Sequence, residues 1–154
     1  MTRRDGWADR ARAGAIAGLA GRAAMAVCQA IDMRAFRFAS DDFVLLGGVF
    51  GKSRKTSRRI GMVMHTANSA AVGMVYALTA ASVSTLPGLV KGIIFAMIEN
   101  AVLYPLLLAE NRHPLIKSGE LVSYRSTTAF TQEVLRHIVF GAVTGAVHAR
   151  LTRR

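Results

Sequence analysis

The sequence predicts an all-α protein: a multi-pass transmembrane helical bundle of about four helices with one short interfacial or re-entrant helix. Three observations predict it. Hydrophobic residues make up 52% of the 154-residue chain and aromatics only 7%, so the apolar content lies in Ala, Val, Leu, Ile, Gly and Met. No Asp, Glu, Lys or Arg occurs between Arg59 and Lys91, a run longer than the roughly 20 apolar residues that cross a hydrocarbon core. A soluble helix of that length carries charges on its outer face, and this one carries none. Finally, the 20 Lys and Arg, against 9 Asp and Glu, flank the apolar segments. Residues 1–154 read as a single integral membrane domain with no internal repeat and no low-complexity tail.

The first helix is expected over 13–33. Arg22 and Gln29 share a stripe on it, seven residues apart, and Gly14-x-x-x-Gly18 makes a flat surface where another backbone can approach, within the bundle or between protomers. Arg3, Arg4, Arg10 and Arg12, followed by Ala24-Met25-Ala26, imitate a signal peptide. Arg22 inside the apolar core and apolar residues continuing to Ile31 favour a retained helix. Cys28 is the single cysteine, so no internal disulfide or CxxC knuckle can form.

Residues 41–51 are too short to cross and read as a short helix, interfacial or re-entrant, capped by Ser40 or Asp41. The stretch from Leu45 to Arg59, "LLGGVFGKSRKTSRR", imitates a phosphate-binding loop. The motif G-x-x-x-x-G-K-[ST] needs its first glycine at position 46, where Leu46 stands. Gly47 is one residue too close, and the run that follows is basic and solvated. Lys52, Arg54, Lys55, Arg58 and Arg59 are therefore assigned to the phosphates of anionic lipid headgroups.

The second helix, 60–83, places His65, Asn68, Ser69, Tyr76 and Thr79 on one face. Ser84 to Gly88 makes a turn, with Pro87 and Gly88 as breakers. The third helix, 89–109, has Glu99 and Asn100 near its midpoint, Lys91 and Tyr104 on either side, and Pro105, which frees the carbonyl of Ala101 and is expected to kink it. After a polar connection, the fourth helix, 129–151, aligns Glu133, His137, Thr144 and His148, with Glu133 and His137 spaced i, i+4 and Gly141-x-x-x-Gly145 alongside.

Ionisable groups at membrane depth are costly, so they face partners or water. Arg22 with Glu99 is the first pairing expected, since both lie mid-helix. The polar interior, comprising Arg22, His65, Asn68, Tyr76, Glu99, Asn100, Glu133, His137 and His148, reads first as packing, in a structural or interaction subunit. The alternative is a proton or ion carrier or channel acting as an oligomer through the same His and Glu. A metal-dependent enzyme ranks last, because no HxxxH or HExxH spacing occurs, and no G-x-S-x-G elbow offers a nucleophile. No catalytic residue, metal or cofactor is assigned. Nucleic-acid binding requires a basic face on a soluble fold, so the expected partners are anionic lipids, a second copy or another membrane protein. With four crossings, the two termini and the 84–88 turn share one side with seven basic residues. The other two connections carry ten, which weakly places them in the cytoplasm.

The stretches "HTANSAAVGMVYAL" (65–78), "IIFAMIENAVLYPLL" (93–107) and "RHIVFGAVTGAVHA" (136–149), with Asp42 to Gly47 after the first helix, resemble the YagU-like and related uncharacterised families of small bacterial inner-membrane proteins. The resemblance implies the bacterial cytoplasmic membrane as location and His65, Asn68, Tyr76 and His137 as family positions. It implies no reaction.

Overall fold

The computed structural model describes residues 3–51, 53–83, 85–107 and 110–153, without the side chains of 3–5, 106 and 107. It is helical, with no strand among the described residues. In order come α1 (Arg3–Ala35), α2 (Asp42–Gly47), α3 (Arg54–Leu78), a 3-10 turn at Ala80–Ser82, α4 (Gly88–Leu107), a second 3-10 turn at Glu110–Arg112, α5 (Pro114–Lys117) and α6 (Thr127–Thr152).

The four long segments predicted from sequence are all helices, with shifted ends. α1 starts ten residues earlier than 13 because the arginine-rich stretch is itself helical. α3 starts at Arg54 rather than 60: Ser53 accepts a hydrogen bond from the Thr56 amide, and this cap turns the basic run into the first two turns of a helix rather than a solvated connection. α3 ends at Leu78, and Ala80–Ser82 within its predicted span form the 3-10 turn. α4 continues through Pro105 into its last turn. The short helix forms with Asp41 as its cap, but it stops at Gly47.

Small residues determine which helices meet. α1 packs on α3 and on α6, and α6 packs on α4. A methyl group at Gly18 would overlap the Ser69 carbonyl, and one at Gly14 the Gly73 carbonyl, so α1 and α3 touch backbone to backbone. Gly141 and Gly145 meet Gly92 and Gly88 in the same way at the α4–α6 contact. Both predicted GxxxG surfaces are thus occupied within one chain. Residue order along these contacts makes each neighbouring pair antiparallel, since Gly14 lies by Gly73 and Gly18 by Ser69, and Gly88 lies by Gly145 and Gly92 by Gly141. The start of α1, the end of α6 and residues 79–83 and 85–87 therefore lie at one end of the bundle. Residues 36–51, 53 and 110–126 lie at the other, where α2, packed on α3, and α5 form a cap with Val44, Leu115, Leu121, Tyr124 and Ala129 as its core.

Burial in this bundle runs opposite to that of a soluble protein. Arg136, Tyr76, Tyr124, Gln29 and Gln132 are its largest fully buried side chains, whereas Val63 (71% exposed), Val102 (68%), Ile98 (60%) and Val27 (60%) point outward. Two helices, Gly6–Ala35 (mean hydropathy 1.4) and Gly88–Pro105 (1.3), are long and apolar enough to cross a membrane. The sequence leads one to expect four such helices. α3 and α6 do not reach the same measure, because His65, Asn68 and Ser69 on one and Gln132, Glu133, Arg136 and His137 on the other lower their hydropathy.

Candidate functional site

The buried polar residues gather at the capped end, around Arg136. α6 carries this side chain inward, fully buried, and three elements converge on it. Its Nε donates to Asp32 Oδ2 at 2.7 Å and its second terminal nitrogen to Asp32 Oδ1 at 2.6 Å, a bidentate fork onto the end of α1. Its first terminal nitrogen donates to Asp42 Oδ1 on α2 at 2.7 Å, and the Ser40 carbonyl accepts at 3.0 Å. Gln132, one turn earlier, donates to Asp32 at 2.9 Å and accepts from the Ser40 hydroxyl at 2.6 Å. Tyr124 donates to the same Asp42 oxygen at 3.1 Å. Burial, together with that carboxylate, pushes the Tyr124 phenol well above its ordinary value.

A second layer ties α3 to this cluster. Asp41 caps α2 by accepting from the Val44 amide at 3.2 Å, accepts from Gln29 at 3.2 Å, and pairs with Arg58 at 3.1 Å. At the other edge, Glu110 accepts from the Ser123 hydroxyl at 2.6 Å and from the Tyr124 amide, and lies 3.8 Å from Arg125. His113 Nε2 bonds the Leu45 carbonyl at 2.8 Å, joining the two connections.

Beside this lattice lies a cavity of about 630 Å³. α3 and α4 touch near the turn end, where Tyr76 packs edge-on to Phe95 with ring centroids 5.5 Å apart. At the capped end they form opposite walls of the cavity: Met64, His65 and Asn68 on one, Glu99, Asn100, Leu103 and Tyr104 on the other. Asp42 and Leu45 of α2, Glu110 and Arg112 of the connection, and Glu133 and His137 of α6 complete it.

The structure divides the residues predicted from sequence into groups. His65, Asn68, Glu99, Asn100, Glu133 and His137 all line this cavity. Tyr76 and His148 lie toward the opposite end of the bundle, in edge-on contact with centroids 5.4 Å apart, with the Tyr76 hydroxyl 3.4 Å from the Gly88 carbonyl. Arg22 is not paired with Glu99; its guanidinium stands 5.1 Å above the Phe43 ring of α2. The Glu133–His137 contact exists in altered form. His137 Nδ1 is 2.8 Å from the Glu133 backbone carbonyl and 3.6 Å from its carboxylate, which also approaches Arg136 at 3.5 Å.

Of the cations assigned to lipid, Arg58 is held by Asp41, and Arg54 donates to the Glu120 carbonyl. Lys55 and Arg59 are exposed, and Lys52 lies outside the described residues. No group of three or more His, Cys, Asp or Glu that could hold a metal ion occurs among the described residues.

Sequence reasoning missed Asp32, Ser40, Asp42, Tyr124, Gln132 and Arg136 as one unit. A signal was present in Gln132 and Arg136, spaced i, i+4 on one face of α6, and in Gln29 and Asp32, spaced i, i+3 on α1. The model of DUF6789, a family of unknown function, matches residues 8–154, so the chain belongs to that family. No curated protein and no solved structure matches it.

Proposed function

We propose that this DUF6789 protein is a multi-pass protein of the bacterial cytoplasmic membrane that acts as a structural or interaction subunit. The observation that carries the reading is the inverted burial: the fully buried large side chains are mostly polar, while branched aliphatic side chains face out from all four long helices. In water, an exposed apolar belt of this extent favours association or aggregation; in lipid it is the expected outer surface, and polar groups turn inward to find partners. The Arg136 lattice supports a structural role for most of the interior, since it joins α1, α2 and α6 through charge-assisted bonds. Kinship with the YagU-like families is part of the same proposal.

Alkaline carbonate extraction of membranes from expressing cells tests the placement. The protein should stay in the pellet and enter solution only with detergent; release by carbonate alone would overturn it.

The cavity favours a second reading, a proton or ion carrier acting as an oligomer, because six of the nine predicted polar residues line it. That reading expects proton flux in liposomes to be lost in His65→Ala, Glu99→Gln and His137→Ala. Wild-type flux no greater than in empty liposomes would leave the interaction role alone.

A further inference from the structure

We propose that the cavity between α3 and α4 binds an organic cation with an apolar body. The first argument is charge. Of the chain's nine acidic residues, Asp42, Glu99, Glu110 and Glu133 line this one cavity, where Arg112 is the single Lys or Arg among the lining residues. The rest of the molecule is strongly basic, with a net charge of +11. Four carboxylates have been concentrated against the trend of the composition.

The second argument is unfilled bonding capacity. Asp42 and Glu133 are 5% and 4% exposed, and both reach the same Arg136 nitrogen, at 2.7 and 3.5 Å. Asp32 uses the other side of that guanidinium. One buried cation thus faces three carboxylates: Asp42 Oδ2, fully buried, accepts from no donor, and Glu133 Oε1 has only the 3.5 Å approach of Arg136. Buried carboxylates that outnumber their cation are costly, and a cation in the cavity that Asp42 and Glu133 line would offset the excess.

The third argument is shape and polarity. Met25, Leu45, Leu46, Val49, Met64 and Leu103 make much of the wall, and a hydrated inorganic ion gains nothing from them. A cavity of about 630 Å³ falls within the usual size of small-molecule sites. Thioethers and Leu side chains adapt to an irregular apolar ligand, while the acids hold its charge. The inference rests on the membrane placement only for the route of entry, because an apolar cation reaches the cavity through the lipid.

The test is equilibrium binding of tetraphenylphosphonium to the detergent-purified full chain, with tetraphenylborate, of the same shape and opposite charge, titrated separately as the control ligand. Binding should be saturable for the cation and absent for the anion, unaffected by excess sodium chloride, and weakened about tenfold or more in Glu133→Gln and in Glu99→Gln. Glu133 contacts the Arg136 lattice, so a melting curve accompanies each variant; Glu99 lies outside that lattice and keeps the test decisive if Glu133→Gln unfolds. Absence of saturable binding, equal binding of tetraphenylborate in its own titration, displacement by sodium, or full binding by folded Glu99→Gln would each overturn the proposal. None of these results bears on carbonate extraction, so the membrane reading stands or falls separately.

Discussion

Arg136 is the residue on which the capped end depends. Removing one partner of a buried ion cluster leaves uncompensated charge, which typically costs about 3–5 kcal/mol. Arg136→Leu strands Asp32, Asp42 and Glu133 together and should lower stability by that amount. Arg136→Lys keeps the charge but cannot reproduce the fork onto Asp32, so it should fall between the two. Thermal unfolding in detergent should give the order wild type, Lys, Leu; a Leu variant as stable as wild type would remove Arg136 from this role. Tyr124 supplies a pH prediction. Its phenol is held well above the ordinary value by burial and by Asp42, so above pH of about 10 the unfolded chain releases this proton while the native protein keeps it. The contribution is fully present below that pH and is lost as pH rises, at up to about 1.4 kcal/mol per pH unit. Tyr124→Phe should flatten the decline between pH 10 and 11, measured as the unfolding midpoint.

At the scale of elements, glycine contacts and the start of α3 carry separate predictions. Gly18→Ala and Gly92→Ala place a methyl group against the carbonyls of Ser69 and Gly141, so the helices must separate, at a cost of roughly 1–3 kcal/mol. Gly6 lies on α1 with no atom within 4 Å of an added Cβ, and Gly6→Ala should instead stabilise by about 0.5–1 kcal/mol through helix propensity. Unfolding midpoints that move the same way in all three variants would show that close approach is not what these glycines provide. The first two turns of α3 hold Arg54, Lys55, Arg58 and Arg59, cations at the end of the helix dipole that repels them. Arg58 is compensated by Asp41, whereas the exposed Lys55 and Arg59 have the lipid headgroup as the compensation proposed here. Lys55→Gln with Arg59→Gln should weaken affinity for phosphatidylglycerol over phosphatidylcholine vesicles without lowering the melting temperature. Arg58→Gln should lower the melting temperature through Asp41, and the opposite pattern would reverse the two roles.

The elements were far more legible than their assembly, for a physical reason. Apolar runs and breakers are local, so the apolar bodies of the four long helices and the short one are legible, whereas the basic starts of α1 and α3, at Arg3 rather than 13 and Arg54 rather than 60, are not; Gly14, Gly18, Gly141 and Gly145 mark two real contacts. Their opposite surfaces were hidden, because Ser69-x-x-x-Gly73 sat within a polar face and Gly88-x-x-x-Gly92 began in an apparent turn. Arg136 reaches partners 94 and 104 residues away, and such pairings leave no periodicity in a single chain. Six residues of the expected polar interior line the cavity and stand out in the sequence because polar groups within apolar helices are few and turn inward. Asp42 belongs to the short helix expected over 41–51, and nothing local indicates that its carboxylate faces Arg136.

At the scale of the whole molecule, the antiparallel bundle makes a prediction about sidedness. In the proposed membrane placement, the start of α1, the end of α6 and the connection between α3 and α4 lie on one side and the two long connections on the other. Counted along the sequence, the two long connections hold Arg34, Arg37, Lys52, Arg54, Lys55, Arg58, Arg59, Arg112, Lys117 and Arg125, against Arg3, Arg4, Arg10, Arg12, Arg150, Arg153 and Arg154 in the terminal segments. Orientation follows the excess of Lys and Arg near the ends of the spans, while acidic residues contribute little, so the capped end should be cytoplasmic. Replacing Cys28, the only cysteine, with Ser gives a background for single reporters at three exposed positions, Thr85→Cys, Lys117→Cys and Arg153→Cys. In intact spheroplasts a membrane-impermeant maleimide should label the first and last, and should label Lys117→Cys only in inverted vesicles. Opposite sidedness for Thr85→Cys and Arg153→Cys would rule out paired crossing by α4 and α6, whereas labelling of Lys117→Cys alone in spheroplasts would keep the bundle and invert it. In that inverted case the four N-terminal arginines would face the cytoplasm, and the cavity would open nearer the periplasmic side, changing which solution its carboxylates exchange with.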